Sequence, residues 1–382
     1  MGIYLDHHAT TPLDPRAYDA MKPWLTERFG NPHSESHMLG RSAAEAVESA
    51  RAQVAALIGA DPREIIFTSG ATEANNLAII GAARFLKGTK HRVVTIATEH
   101  KCVLESARSL EDEGFEVVTV GVQPNGLVDM AALDRAITDD TAVVTVMAAN
   151  NEIGVLQPLA EIAGLARSRG ALVHSDAAQA AGKIPLDVTN VDTMSISSHK
   201  MYGPMGVGAL YVRRRPRVRL QPLFHGGGQE RGLRSGTLPV ALCVGFGAAC
   251  AVAREDLAAE AERVARLRDR LASRITAAIP GARINGAGAP RLPGNLNIAL
   301  PGVDAIQLIE AVPEVALSAG SACTSAEVAP SYVLMALGLD EATARASLRF
   351  GVGRFNTEAD IDRAGALIAA AAQRLKGEAR VA

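Results

Sequence analysis

Ala142-Val-Val-Thr-Val146 is one of five stretches that decide the fold, the others being Glu64-Ile-Ile-Phe-Thr68, Arg92-Val-Val-Thr-Ile96, Glu116-Val-Val-Thr-Val120 and Ala171-Leu-Val-His174. Each is short, rich in β-branched side chains, and apolar in a continuous run instead of an alternating one. That is the pattern of a strand buried on both faces. The chain between successive runs is long enough for a helix. Apolar strands alternating with helices predict an α/β fold with a mostly parallel central sheet, which binds its ligands beyond the carboxyl ends of the strands.

At 382 residues the chain is too long for one small core, so one large and one smaller domain are expected. No repeat of fixed period and no low-complexity linker divides it. The character changes near residue 255. From Arg254 to Ile279 the sequence reads as one Ala- and Arg-rich amphipathic helix, stopped by Pro280-Gly281. A strand over Asn295–Leu300 and further helices follow. The expected division is a large domain over residues 12–255, with residues 1–11 and 256–382 forming a smaller α+β domain.

Composition excludes several classes of function. The formal net charge is −2, so no global basic field points to nucleic acid or to a membrane surface. The local run Arg213-Arg-Arg215, with Arg217 and Arg219, reads as a solvated strand end or loop. No stretch approaches the roughly 20 apolar residues of a membrane span. The first residues carry neither an apolar signal core nor an Arg-rich amphipathic pattern, so a cytoplasmic location is expected. Cys102, Cys243, Cys250 and Cys323 are far apart, which argues against a zinc site or a disulfide framework. Any cysteine with a chemical task acts alone, and no metal is expected.

The chemistry starts at Ser195-Ile-Ser-Ser-His-Lys-Met-Tyr-Gly-Pro204, where Lys200, one of only seven lysines, sits among hydroxyls, a histidine and a turn. Asp176 stands 24 residues earlier and follows an apolar run, which puts it at a strand's carboxyl end. A carboxylate there can keep a pyridine nitrogen protonated, while a lysine can hold an aldehyde as a Schiff base. Phe67-Thr-Ser-Gly-Ala-Thr-Glu-Ala-Asn-Asn76 runs from a strand through a small-residue turn into a helix. Free N–H groups and the hydroxyls of Ser69 and Thr72 suit a phosphate dianion. Read alone, the same stretch is also a plain capping box.

These residues add up to a family. The chain resembles the cysteine desulfurases, pyridoxal-phosphate (PLP) enzymes of aminotransferase class V, in the branch with a long catalytic-cysteine loop. The resemblance runs almost end to end. It covers Tyr4-Leu-Asp-His-His-Ala-Thr-Thr11, Gly30-Asn-Pro-His-Ser34, Phe67–Glu73, Thr98-Glu-His-Lys101, Asn150-Asn-Glu-Ile-Gly154 and His174-Ser-Asp-Ala-Ala-Gln179. It continues through Ser197–Pro204, His225-Gly-Gly-Gly228, Arg234-Ser-Gly-Thr237, Gly320-Ser-Ala-Cys-Thr-Ser325 and Ser347-Leu-Arg-Phe350. It implies the aspartate-aminotransferase-like fold, with the cofactor on the large domain and the catalytic cysteine loop on the small one.

The resemblance also implies roles. Lys200 carries the cofactor, Asp176 pairs with its ring nitrogen, His100 stacks on the ring and moves protons, and Gln179 bonds the phenolic oxygen. Ala71, Thr72, Ser197 and His199 hold the phosphate, with Thr237 reaching across from the second subunit of a homodimer. Asn31, Asn151 and Arg349 bind L-cysteine, the arginine clamping its carboxylate. Cys323, in a run of small polar residues with little to bury, takes the sulfur as a persulfide and passes it to an acceptor protein of unknown identity. Iron–sulfur assembly, tRNA thiolation and DNA phosphorothioation all remain open as destinations.

Cys243 and Cys250 lie in an apolar stretch and read as packing residues; Cys102, beside His100, reads as packing too, with a place near the cofactor as the alternative. Two features depart from the family. Met205 stands where relatives carry lysine, and the chain ends at Ala382, short of the tail with which housekeeping relatives dock a scaffold. Alternatives on the same fold are a selenocysteine lyase or an aminotransferase. From another class comes a catalytically silent binding platform.

Overall fold

The computed structural model describes residues 2–320 and 329–378, and Cys323 lies outside them. The described residues form twelve strands: β1 (Ile3–Tyr4), β2 (Ile65–Thr68), β3 (Arg92–Ile96), β4 (Glu116–Val120), β5 (Thr141–Thr145), β6 (Leu172–Asp176), β7 (Thr193–Ser197), β8 (Gly208–Val212), β9 (Arg283–Ile284), β10 (Asn295–Ala299), β11 (Val315–Ala316) and β12 (Ser347–Gly351). Seven of them make the central sheet, in the order β2-β8-β7-β6-β5-β3-β4. All neighbours pair in parallel except at β8, which runs against both β7 and β2. The carboxyl ends of β2, β3, β5, β6 and β7 therefore open on one edge, and the chain entering β8 starts from that same edge.

Both faces of the sheet are covered, which explains the unbroken apolar runs. Side chains alternate in direction along a strand. Ile65, Phe67, Val94, Ile96, Val144 and Ile196 join one apolar cluster with Ala43, Val47 and Val54 of the helix Met38–Ile58. Ile66, Val93, Val143 and Leu210 join another with Leu77, Ile79 and Ala83 of the helix Ala71–Leu86. Phe67 also meets Phe246 edge to face at 6.4 Å. Truncating such a buried phenylalanine to alanine costs roughly 3–5 kcal/mol.

A third cluster gathers Ile3 and Leu5 with Leu267, Leu271, Ile275, Leu296, Ile298, Leu348, Phe350, Ile361 and Ile368. It surrounds the antiparallel strands β12-β10-β9, beside which β1 pairs with β11 in the register Ile3↔Val315.

One helix is longer than the sequence implies. It spans Val240–Ala278, where only Arg254–Ile279 reads as helical from its pattern. The first half is buried on most sides, with Cys243, Phe246, Ala249 and Cys250 all at 0% exposure, so it carries no polar stripe to mark a period. The change of character near residue 255 is thus a change of surroundings along one continuous helix.

Candidate active site

Five of the six carboxyl ends at the open edge, all but that of β4, deliver one or two polar side chains. Ser69, Gly70, Ala71 and Thr72 follow β2, His100 follows β3, and Asn151 follows β5. Ala178 and Gln179 follow β6, and His199 and Lys200 follow β7. All of them line one cavity of about 390 Å³, together with Cys102, Met147, Asp176, Ser197, Met205, Gly206 and Arg349. Ten of the thirteen residues singled out in the sequence meet there: Lys200, His100, Asp176, Gln179, Ala71, Thr72, Ser197, His199, Asn151 and Arg349. Asn31 does not, being exposed with its Oδ1 accepting from the His33 N–H at 3.0 Å. Thr237 is exposed and outside the cavity wall as well. The third, Cys323, is the one outside the described residues.

Asp176 is the last residue of β6 and is 6% exposed. Its Oδ2 accepts from Asn75 Nδ2 at 2.7 Å and its Oδ1 from the Ala178 N–H at 2.9 Å. Behind it, Asn75 Oδ1 lies 2.9 Å from His174 Nε2, and His174 Nδ1 lies 2.9 Å from Thr193 Oγ1. Burial pushes His174 down to about 4, opposed in part by Asp176, so the ring is neutral. This chain of neutral partners fixes the carboxylate without neutralising it. Asn75 and His174 were not singled out in the sequence as site residues. The only trace there is position, since Asn75 follows Thr72 by three residues on the same helical face.

Lys200 follows β7 in a single tight turn, and its Nζ donates to the carbonyls of His8 at 2.7 Å and Ala9 at 2.8 Å. Tyr202 adopts φ 65, a left-handed conformation that costs a non-glycine residue on the order of 1–3 kcal/mol. The Thr11 hydroxyl accepting from its N–H at 2.7 Å and the Arg354 guanidinium 4.2 Å over its ring hold that turn. The segment Asp6–Thr11 thus braces the lysine from behind.

Opposite lies the start of the helix Ala71–Leu86. Its N-cap is Gly70 at φ 155, with no side chain capping the first turn. The first N–H groups are left for the cavity, as an anion site requires. β8 passes so close that a Cβ on Gly208 would stand 2.7 Å from Gly70 Cα.

His100 caps the next helix, Lys101–Arg108, its Nδ1 accepting from the Cys102 N–H at 3.2 Å. Burial lowers its pKa, Lys200 adds to that and Asp176 opposes it, so the imidazole is neutral with its proton on Nε2. Cys102 packs against the apolar cluster of Ile66, Leu77 and Val93, as its sequence suggests, and it faces the site as well. It lines the cavity, with Sγ 3.0 Å from His100 Nδ1 and 3.2 Å from Asn75 Nδ2. Burial and then Asp176 push its thiol up to about 12, so it stays protonated. Cys243 and Cys250 are buried as read.

At the far wall Arg349 is 1% exposed. Its Nη2 donates to Asp6 Oδ1 at 2.8 Å and its Nη1 to the Asn151 carbonyl at 3.3 Å. Its Nε and the nearby Asn151 Oδ1 are buried without a partner among the described residues. Orphaned donors and acceptors on a cavity wall are what a polar ligand fills.

The donor set fits PLP. An open helix start suits its phosphate, a held carboxylate its ring nitrogen, a lysine its aldehyde, and the orphaned arginine nitrogen a substrate carboxylate. The comparisons agree. Residues 3–364 match the family model described as aminotransferase class-V. The chain is 53% identical over 378 residues to the cysteine desulfurase IscS of Rickettsia akari (strain Hartford), covering 98% of this chain and 92% of that one. A solved NifS-like protein superimposes with a TM-score of 0.89 at 35% identity, covering 98% of this chain and 99% of its own. SspA, solved in complex with cysteine, gives 0.82 at 36% identity, covering 93% and 99%. This chain belongs to the aminotransferase class-V family, among its pyridoxal-phosphate-dependent cysteine desulfurases.

Proposed function

We propose that this cavity splits L-cysteine into L-alanine and one sulfur atom, which Cys323 takes up. When bound, PLP supplies an electron sink for the charge left at the substrate α-carbon. Lys200 would hold it, the turn Gly70–Thr72 with Ser197 and His199 would take its phosphate, Asp176 its ring nitrogen and Gln179 its ring oxygen. Asn151 and Arg349 orient the substrate carboxylate, and neutral His100 is poised to accept or return a proton at Nε2. The Cys323 thiolate attacks the substrate sulfur, so an S–S bond forms as the carbon–sulfur bond breaks, and the carbon takes a proton. L-cysteine plus the Cys323 thiol yields L-alanine plus the Cys323 persulfide, and the atoms balance.

One observation carries this reading. Polar ends of five strands converge with Arg349 on one cavity, and both flanks of the segment bearing Cys323 are tied to its rim. On one side Ser318 bridges Arg349 through backbone hydrogen bonds of 2.7 and 3.3 Å. On the other, Ser331 Oγ donates to Glu152 Oε2 at 2.5 Å, next to Asn151.

A homodimer completes the site in this reading, with Thr237 serving the partner's phosphate. Arg234 donates to Glu73 at 2.8 Å and so holds the loop before Thr237 against the cavity's helix. Exposed Leu25, Phe29, Met38, Leu39, Met205 and Phe224 offer apolar surface for a second copy. Asn31, two residues after Phe29, is exposed as well. The small domain of residues 1–11 and 256–382 would carry Cys323, consistent with the separate apolar cluster that joins Ile3 and Leu5 to Val264, Leu271, Ile361 and Ala372. No described helix is long and apolar enough to cross a membrane, and a cytoplasmic enzyme handing its sulfur to an acceptor protein fits that.

The test is direct. The yellow protein, given L-cysteine, forms alanine, and releases sulfide mainly when a reductant is present. Cys323→Ala keeps the visible band and loses sulfide release. Full sulfide production by that variant would refute the persulfide step.

A further inference from the structure

Gln179 is held from behind by three groups that face its amide. Its Nε2 donates to the His8 carbonyl at 2.9 Å, and its Oε1 lies 3.0 Å from His8 Nδ1. The third partner is Lys183, whose Nζ donates to the same Oε1 at 3.2 Å. Lys183 follows Gln179 by four residues on helical turns closed by the N–H groups of Ala180 and Ala181 on the Ala177 carbonyl, which brings the two side chains together. His8 is buried, and burial keeps its ring neutral well below the usual histidine range, so its one ring proton serves Oε1 from Nδ1. Turned over, the amide would set its NH₂ against two donors and its oxygen against a carbonyl. Only one orientation satisfies all three partners, and it leaves one N–H of Gln179 for the cavity.

We propose that Lys183 is a positioning residue, locking the Gln179 amide so that an N–H, and never the carbonyl, faces the cofactor's ring oxygen. The proposal rests on the reading above that Gln179 meets that oxygen. Lys183 does not line the active-site cavity. It borders a second one of about 30 Å³, room for a single water, shared with His7, His8, Tyr202 and Glu260.

The groups that face its nitrogen are His7 and His8 from the N-terminal segment, Lys200, Arg349, and Glu260 from the helix Val240–Ala278. Burial, with Lys200 and Arg349 adding to it and Glu260 opposing, pushes Lys183 down to about 7. Charged or neutral, the amine keeps N–H donors for Oε1, so the lock holds on both sides of neutrality. His8 ties the lock to Lys200, because its carbonyl accepts from both Gln179 Nε2 and Lys200 Nζ.

The readout is the pH at which the visible band of the holoenzyme changes, which follows proton loss from the linkage to Lys200. An N–H facing the ring oxygen favours the more anionic, deprotonated form. Without the lock that form is disfavoured and the midpoint moves up, by about 0.4 to 1 pH unit for one hydrogen bond. Lys183→Met is expected to move it up. Lys183→Gln, which keeps an N–H donor but no charge, restores it. In a Gln179→Ala background Lys183→Met adds nothing, because both act through one amide.

An unchanged midpoint in Lys183→Met beside a shifted one in Gln179→Ala overturns the positioning role and leaves Gln179 in place. A Lys183→Met shift that persists in the Gln179→Ala background, or that Lys183→Gln fails to correct, assigns the effect to charge and also overturns the lock. Silence of Gln179→Ala itself removes the contact with the ring oxygen and the proposal with it. Should Lys183→Met not fold, Lys183→Ala, which also lacks a donor, takes its place in the same comparisons.

Discussion

Replacing Arg349 by methionine removes the only guanidinium that lines the active-site cavity among the described residues, while keeping the length of the side chain. The magnitude follows from which nitrogens are committed. Nη2 gives one N–H to Asp6 and Nη1 one, loosely, to the Asn151 carbonyl at 3.3 Å, while Nε has no partner among the described residues, so at least two N–H donors remain for a carboxylate. Two charge-assisted hydrogen bonds at roughly 1.5–3 kcal/mol each put the clamp near 3–6 kcal/mol. At 1.36 kcal/mol per tenfold change, kcat/KM for L-cysteine falls by about 10²- to 10⁴-fold. The clamp grips substrate and transition state alike, so most of the loss appears in KM. Asp6, 16% exposed in its side chain, keeps access to water when its partner goes, which limits the damage to the fold. Alanine formation gives the rates, and binding of cysteamine, which lacks the carboxylate, supplies the control. Wild type and variant should bind cysteamine equally. A variant that kept kcat/KM within threefold, or that lost cysteamine as badly as cysteine, would refute the clamp.

Three further outcomes are expected. Glu99 is wholly buried, and burial with the neighbouring Asp176 holds its carboxyl well above the usual range. The folded protein thus retains a proton that the unfolded chain releases above about pH 4.3. That costs stability as pH rises past this value, so Glu99→Gln should melt higher than wild type at pH 7 with no gain at pH 4. Asn75→Leu strips Asp176 and His174 of a partner at once and should lower unfolding free energy by roughly 1–3 kcal/mol, read from denaturant midpoints. Arg51→Met leaves the Glu230 carboxylate buried without the two 2.7 Å bonds it now accepts. It should cost roughly 3–5 kcal/mol, partly recovered by adding Glu230→Gln.

The parts of this fold that could be read from sequence are those whose signal is local. β3 falls where its apolar run begins and ends, because a strand buried on both faces needs no partner to explain its composition, and the edge strand β4 keeps the bounds of its run although it is only partly buried. Asp176 at the end of such a run is at a site for the same reason. The helix Val240–Ala278 is half hidden, since burial on most sides erases the periodicity by which an amphipathic helix shows itself. Its apolar half could be told from a loop only by knowing that β2 and the helix Met38–Ile58 enclose it.

The active site divides along the same line. Lys200, Asp176 and the open helix start at Gly70 are visible because each stands beside its own strand. The groups that hold them are not, because they come from far along the chain: Asn75 reaches Asp176 across 101 residues and His8 reaches Gln179 across 171. Cys102 shows the limit most plainly. In sequence it is a lone thiol in a helix, and what distinguishes it is the meeting of His100, Asn75 and Asp176 around it. A residue's chemistry can be guessed from its own strand end, but its protonation state and orientation depend on partners the chain brings back from elsewhere. For this enzyme the silent positions behind the visible ones, Asn75 behind Asp176 and Lys183 behind Gln179, are therefore where substitutions should alter the chemistry without removing a catalytic group.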